Sequence, residues 1–117
     1  MIRTFVEISA FTKRVERSGG HQLLLQIQTE LLVRLDSGSV IPGSGGLRKL
    51  RVVDLKRGKG KRGGYRVIYL DLPDVELTFL LALYDKNEKD DISSDEKRVM
   101  RGLVELLKRE AKSNAKD

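Results

Sequence analysis

Apolar positions along this chain hold a helical period in some stretches and a strand-like one in others, with Gly- or Pro-rich breaks between them. Residues 4–8 (TFVEI) form a short β-branched and aromatic run and predict a first strand. Ser9 is placed to cap a short helix through Arg17, in which Phe11 and Val15, four apart, share a face. Ser18-Gly19-Gly20 breaks it. Across residues 21–35, Leu24, Ile27, Leu31 and Leu35 recur at three- and four-residue steps, with Gln26, Gln28, Glu30 and Arg34 on the other side. Two helices joined by a tight Gly turn predict a helical hairpin lying on a sheet.

Residues 36–46 (DSGSVIPGSGG) are punctuation, with too little side chain to form a core. Residues 47–55 read as a strand with charges on both faces, 56–64 as a Gly-rich basic loop, and 65–72 (YRVIYLDL) as a further strand. Pro73 to Glu76 suits a turn, since Pro pre-sets φ at an early turn position. Residues 77–84 (LTFLLALY) are apolar at odd and even positions alike, the pattern of a strand buried on both faces. Ser93 and Glu96 have capping-box spacing at the start of a last helix, whose apolar stripe is Val99, Met100, Leu103, Leu106 and Leu107. From Lys108 onward there is little to bury, and the end is expected to fray. The fold expected is α+β, a single domain over 1–117 in the order β-α-α-β-β-β-α. Its small, largely antiparallel twisted sheet is flanked by an N-terminal helical hairpin and a C-terminal helix.

Composition narrows the chemistry. At 117 residues the chain can bury one core without staples. It has no cysteine and one histidine, His21, which excludes disulfides and Cys- or His-cluster metal sites. No apolar run approaches a membrane span, and the N-terminus is too short and charged for a signal peptide, so a cytoplasmic protein is expected. His21 follows Gly20 at a helix start and reads as an exposed first-turn residue.

Charge changes the picture more. From Arg48 to Arg66 the sequence RKLRVVDLKRGKGKRGGYR carries nine cations and one acid, Asp54. The segment's +8 exceeds the net +6 of the whole chain, and the other 98 residues sum to −2. Solubility needs a net charge but not this clustering, so the segment reads as a nucleic-acid or phosphate surface rather than a solvated hairpin loop. Glycines let backbone N–H groups approach phosphate oxygens, while Lys and Arg release counterions. Gly58 to Gly63 matches G-x-G-x-x-G by letter, but a strand follows where a dinucleotide fold needs a helix, so the match is compositional. Arg66 differs from the loop cations because a strand fixes the direction of its planar fork. Lys86, Tyr84 and Glu88 lie at the end of the apolar strand, where they could contribute a second cation, a stacking face or hydroxyl, and a base; they equally suit an ordinary connection.

These residues together resemble the RelE/ParE toxin superfamily, in particular its HigB-type, host-inhibition branch. The matching runs are 42–51 (PGSGGLRKLR), 60–69 (GKRGGYRVIY), 80–88 (LLALYDKNE) and 90–96 (DDISSDE). The resemblance implies the toxin of a bacterial type II toxin–antitoxin pair, held inactive by a cognate antitoxin, which is expected to be a helix-turn-helix protein. It implies cleavage of mRNA on the ribosome by attack of a ribose 2′-OH on the adjacent phosphate, with no metal or cofactor. Such a reaction needs a base near the 2′-OH, cations on the pentavalent phosphorane and an acid at the leaving oxygen. On this resemblance Arg66 stabilises the transition-state phosphate, Lys59, Lys61 and Arg62 belong to the basic loop as backbone clamps or a proton-transfer lysine, and Lys86 is the cation after the last strand. Asn87 stands where some members carry arginine, and Ser93 lies nearest to their catalytic tyrosine, leaving Tyr84, Lys61 and Glu88 as candidate bases. Lys56 and Arg57 complete the surface expected to meet mRNA or rRNA, together with Arg48, Lys49 and Arg51, which suit either ribosome docking or an ordinary charged strand face. The rival readings are a ParE-like toxin that poisons DNA gyrase by protein binding, and a remnant that only binds antitoxin. Gathered cations around Arg66 favour RNA.

Overall fold

A computed structural model describes residues 3–56, 58 and 63–115. The elements are β1 (Thr4–Glu7), α1 (Ser9–Ser18), α2 (Gly20–Val33), β2 (Ser39–Val40), β3 (Arg48–Val52), β4 (Tyr65–Leu72), a 3₁₀ turn (Pro73–Val75), β5 (Leu77–Asp85) and α3 (Ser94–Ala115). One sheet contains all five strands in the order β1-β5-β4-β3-β2. β3, β4 and β5 form the expected antiparallel meander, and β1 adds to it parallel to β5. The α+β expectation holds, with one addition: β2, a two-residue edge strand inside the stretch read as punctuation.

Two apolar layers enclose the sheet. On one face Phe11, Val15, Leu23, Ile27 and Leu31 of the helical hairpin meet Leu50, Val52, Val67, Tyr69, Leu80 and Leu83. On the other, Val104 of α3 meets Leu47, Ile68, Leu70, Phe79, Leu81 and Tyr84, with Met100, Leu103 and Leu107 half-buried beside it. β5 serves both layers, as its unbroken apolar run requires. A bulge helps: Ile68 pairs with Ala82 and Tyr69 with Leu80, leaving Leu81 unpaired. The extra residue shifts the alternation of the strand, so Tyr84 comes to the α3 face next to Arg66.

Several local expectations are corrected. Ile8, in extended backbone, is the N-cap of α1, and Ser9 already lies inside the helix. The buried row of α2 is Leu23, Ile27 and Leu31, while Leu24 and Leu35 are half-buried. A Cβ on Gly19 would lie 2.6 Å from the Cβ of Leu23, so glycine is needed at the residue that ends α1 and caps α2. Val99 and Leu106 are exposed, since the line of α3 that faces the sheet is Met100, Leu103, Val104, Leu107 and Ala111. From Lys108 the chain is helical as far as Ala115 rather than frayed: Ala111 is buried and Lys108 Nζ donates to Gly45 O at 2.7 Å. The capping box is present as expected, with Glu96 N donating to Ser93 Oγ at 3.1 Å and Ser93 N to Glu96 Oε1 at 2.9 Å.

The punctuation also has internal structure. Ser44 is buried, accepts from Leu47 N at 3.0 Å and donates to Ile41 O at 2.5 Å, while Gly43, Gly45 and Gly46 take positive φ around it. The loop thereby returns the chain into β3, the strand that carries three of the candidate cations.

Candidate RNA-binding site

Strand pairing creates the site. On β3, Lys49 and Arg51 alternate away from the hairpin-facing Leu50 and Val52 and share the α3 face with Leu47. Arg51 is registered opposite Arg66 of β4, and Arg66 opposite Tyr84 of β5. Two arginines directly across a ladder repel one another. A sheet selected only for stability would not place them there.

Arg66 is 1% exposed. Its Nε donates to Asp90 Oδ1 at 2.9 Å and its Nη1 to Tyr65 O at 3.2 Å. Lys49 Nζ pairs with the Asp91 carboxylate and donates to Asp90 O at 3.1 Å. Tyr84 Oη donates to the same carbonyl at 3.0 Å. Adjacent side chains on all three strands thus converge on the Asp90–Asp91 peptide. A cleft of about 430 Å³ lies alongside, with Lys49 and Arg51 on one wall, Ser39, Ile41 and Pro42 at its rim, and Asp91, Ile92 and Lys97 opposite. The Arg66 hydrogen bond, joined by the charges of Lys49 and Arg51, holds the Asp90 carboxyl below the usual carboxylate range despite some desolvation.

The other expected residues fall in different places. Tyr84 is buried, and burial, with the Asp91 and Asp90 charges adding to it, pushes its hydroxyl up to about 12. Its ring offers no open stacking face, and Lys89 Nζ sits 5.1 Å from its centroid. Glu88 receives both Arg14 guanidinium nitrogens and the Asp85 N–H, tying the end of β5 to α1. The Arg14 hydrogen bond, then that of the Asp85 backbone, holds its carboxyl below the ordinary range. Lys86 has an exposed side chain, and its N–H donates to Gly64 O at 3.0 Å, placing it where β4 leaves the basic loop. Arg48 points the other way: Nη1 donates to Gly38 O at 2.7 Å and fastens the 36–38 segment, away from Arg66. Lys56 is exposed at the start of the loop. Arg57, Lys59, Lys61 and Arg62 lie outside the described residues.

Sequence reasoning missed Asp90, Asp91, Arg14 and Lys97. The two aspartates were read only as the lead-in to the last helix; their signal was a pair of adjacent acids immediately after the strand that ends beside a cationic cluster. Arg14 had no signal, since its partner is 74 positions away.

A model of the family described as "RelE toxin of RelE / RelB toxin-antitoxin system" matches residues 34–116, which include every strand of the site and α3. Among solved structures, the isolated E. coli RelE toxin superposes with a TM-score of 0.52, covering 86% of this chain and 98% of that one at 13% identity. At that identity the superposition demonstrates a shared fold. No described helix is long and apolar enough to cross a membrane.

Proposed function

The chain belongs to the RelE toxin family, the toxin side of type II toxin–antitoxin pairs, and from that premise we propose that it is a cytoplasmic, ribosome-dependent mRNA endoribonuclease restrained by a cognate antitoxin. The observation that carries the reading is the clustering of Lys49, Arg51 and Arg66 on one face of adjacent strands, with two arginines registered across a strand pair and Lys49 and Arg51 lining the cleft. A phosphodiester bound beside the cleft with its oxygens in place of the Asp90 carboxylate would meet a fixed guanidinium fork, and charge developing on the pentavalent phosphorane would be stabilised without reorganisation of the strand that holds it. Lys86 and the basic loop (Lys56, Arg57, Lys59, Arg62) would track the RNA backbone. With the Tyr84 hydroxyl and the Glu88 carboxylate engaged in the framework, proton transfer is assigned to Lys61. The gyrase-directed alternative gains no support from either match.

Arg66→Ala and Arg66→Lys test the assignment in single-turnover cleavage of mRNA on programmed ribosomes, with thermal melts to confirm folding. Both are expected to lose about 100-fold or more in cleavage rate, because a point charge does not replace a planar fork. A folded Arg66→Lys protein with wild-type rate would remove Arg66 from the chemistry.

A further inference from the structure

The same cations that make the site attractive to RNA are already engaged. Arg66 is held at Nε by Asp90, Lys49 pairs with Asp91, and the Asp90 carbonyl takes donors from Lys49 and Tyr84. Two successive carboxylates on neighbouring cations resemble, in charge and spacing of acceptors, two phosphates of a nucleic-acid backbone. The segment's ends are fastened by interactions that do not involve the site. Glu88 is clamped to Arg14 on one side, and Ser93 closes the capping box with Glu96 on the other. Between these anchors, the polar hold on residues 90 and 91 comes from Lys49, Arg66 and Tyr84, while Ile92 rests on the α3-side core. Both carboxylates face solvent, 46% exposed for Asp90 and 78% for Asp91, whereas the Arg66 side chain beneath is 1% exposed. The Asp90 carboxylate thus occupies the Arg66 Nε, and a phosphate oxygen taking that position must displace it.

We propose that Asp90 and Asp91 form an internal lid that occupies the phosphate positions over Lys49 and Arg66, and that RNA backbone enters the site by displacing it. This rests on the RNA-cleavage reading above and adds to it a closed resting state, in which the free protein is self-masked and only a polyanion presented at high local concentration opens the cleft. Displacement exchanges two carboxylate contacts for phosphate contacts on the same cations, so net binding is weaker than the bare cluster would give.

The experiment measures anisotropy of a short, labelled RNA made uncleavable by 2′-deoxy substitution, titrated with the wild type, Asp90→Asn, Asp91→Asn and the double variant. Asp95→Asn, an acid paired with Arg98 on α3, serves as the control for net charge alone. Each single variant, which removes one charge as the Asp95→Asn control does, is expected to bind about two- to fivefold more tightly than that control, the range set by one partly exposed ion pair, and the double variant more tightly still. Equal gains in the single variants and the control would overturn the lid as generic electrostatics. Weaker binding by Asp90→Asn would overturn it by making Asp90 a positioning residue for Arg66. Binding of RNA by the wild type with no gain in the variants would sink the lid and leave the RNA reading standing, whereas no binding by any of them, together with absent cleavage on ribosomes, would sink both. Hydrogen exchange on the wild type keeps the test independent of variant folding. Amides of residues 89–92 are expected to exchange faster with the oligonucleotide bound, and unchanged or slower exchange would count against displacement.

Discussion

At the residue scale, Tyr84 and Glu88 separate position from reactivity. A phenol pushed up to about 12 and donating to a backbone carbonyl holds its proton throughout the physiological range, so it braces the Asp90 peptide rather than accepting a proton. Tyr84→Phe is expected to retain cleavage within a few-fold and to cost about 1 kcal/mol of stability, measured by denaturant titration; a loss of cleavage by orders of magnitude would restore Tyr84 to the chemistry. Glu88 gives a pH signature. Its folded value lies below the ordinary 4.5, so its contribution is present above about pH 4.5 and is lost as pH falls through the folded value. Glu88→Gln should therefore lower the melting temperature near neutral pH and flatten its fall below pH 4.5. An unchanged acid slope would show that the Arg14 clamp does not contribute.

Elements explain why these side chains meet. A Cβ on Gly64 would lie 1.9 Å from Val52 O, so glycine is required where the basic loop re-enters the sheet, and its carbonyl accepts Lys86 N at 3.0 Å. Gly64→Ala is expected to destabilise the protein by about 2–4 kcal/mol in chemical denaturation and to impair cleavage by displacing Arg66 and Lys86 together. Stability within 0.5 kcal/mol of wild type, roughly the scatter of surface substitutions, would contradict that close contact. At this scale the sequence was informative wherever a signal is local. The capping box, the bounds of β4, the doubly buried β5 and the order of elements could all be read directly. Signals that depend on partners could not. The α2 stripe was misread at Leu24 because its neighbour Leu23 is the one that packs into the core, the bulge at Leu81 has no composition mark, and β2 exists only because β3 lies beside it.

Across the whole molecule, charge marked where the candidate site lies and pairing shows how it is built. The run from Arg48 to Arg66 was legible as a concentration of cations, and Arg66 stood out by its strand position. The fold divides that run. Lys49, Arg51 and Arg66 share the α3 side of the sheet, with Lys49 and Arg51 lining the cleft, while Arg48 alternates to the far side and fastens its own neighbouring loop. The acids at 90 and 91 stand as an adjacent pair after β5, but nothing in a one-dimensional charge pattern says that they fold back onto strands 24 and 42 positions earlier. The family model confirms the RelE assignment made from the motifs and does not resolve the HigB-type branch within it.

The central claim is that Arg66, set among these cations, cleaves mRNA on the ribosome. It is tested most directly by mapping mRNA 5′ ends genome-wide after brief expression of the wild type and of Arg66→Lys, each matched for folded protein. New 5′ ends within translated codons are expected for the wild type and should vanish in the variant. Growth arrest without new 5′ ends, or an identical pattern from Arg66→Lys, would contradict it.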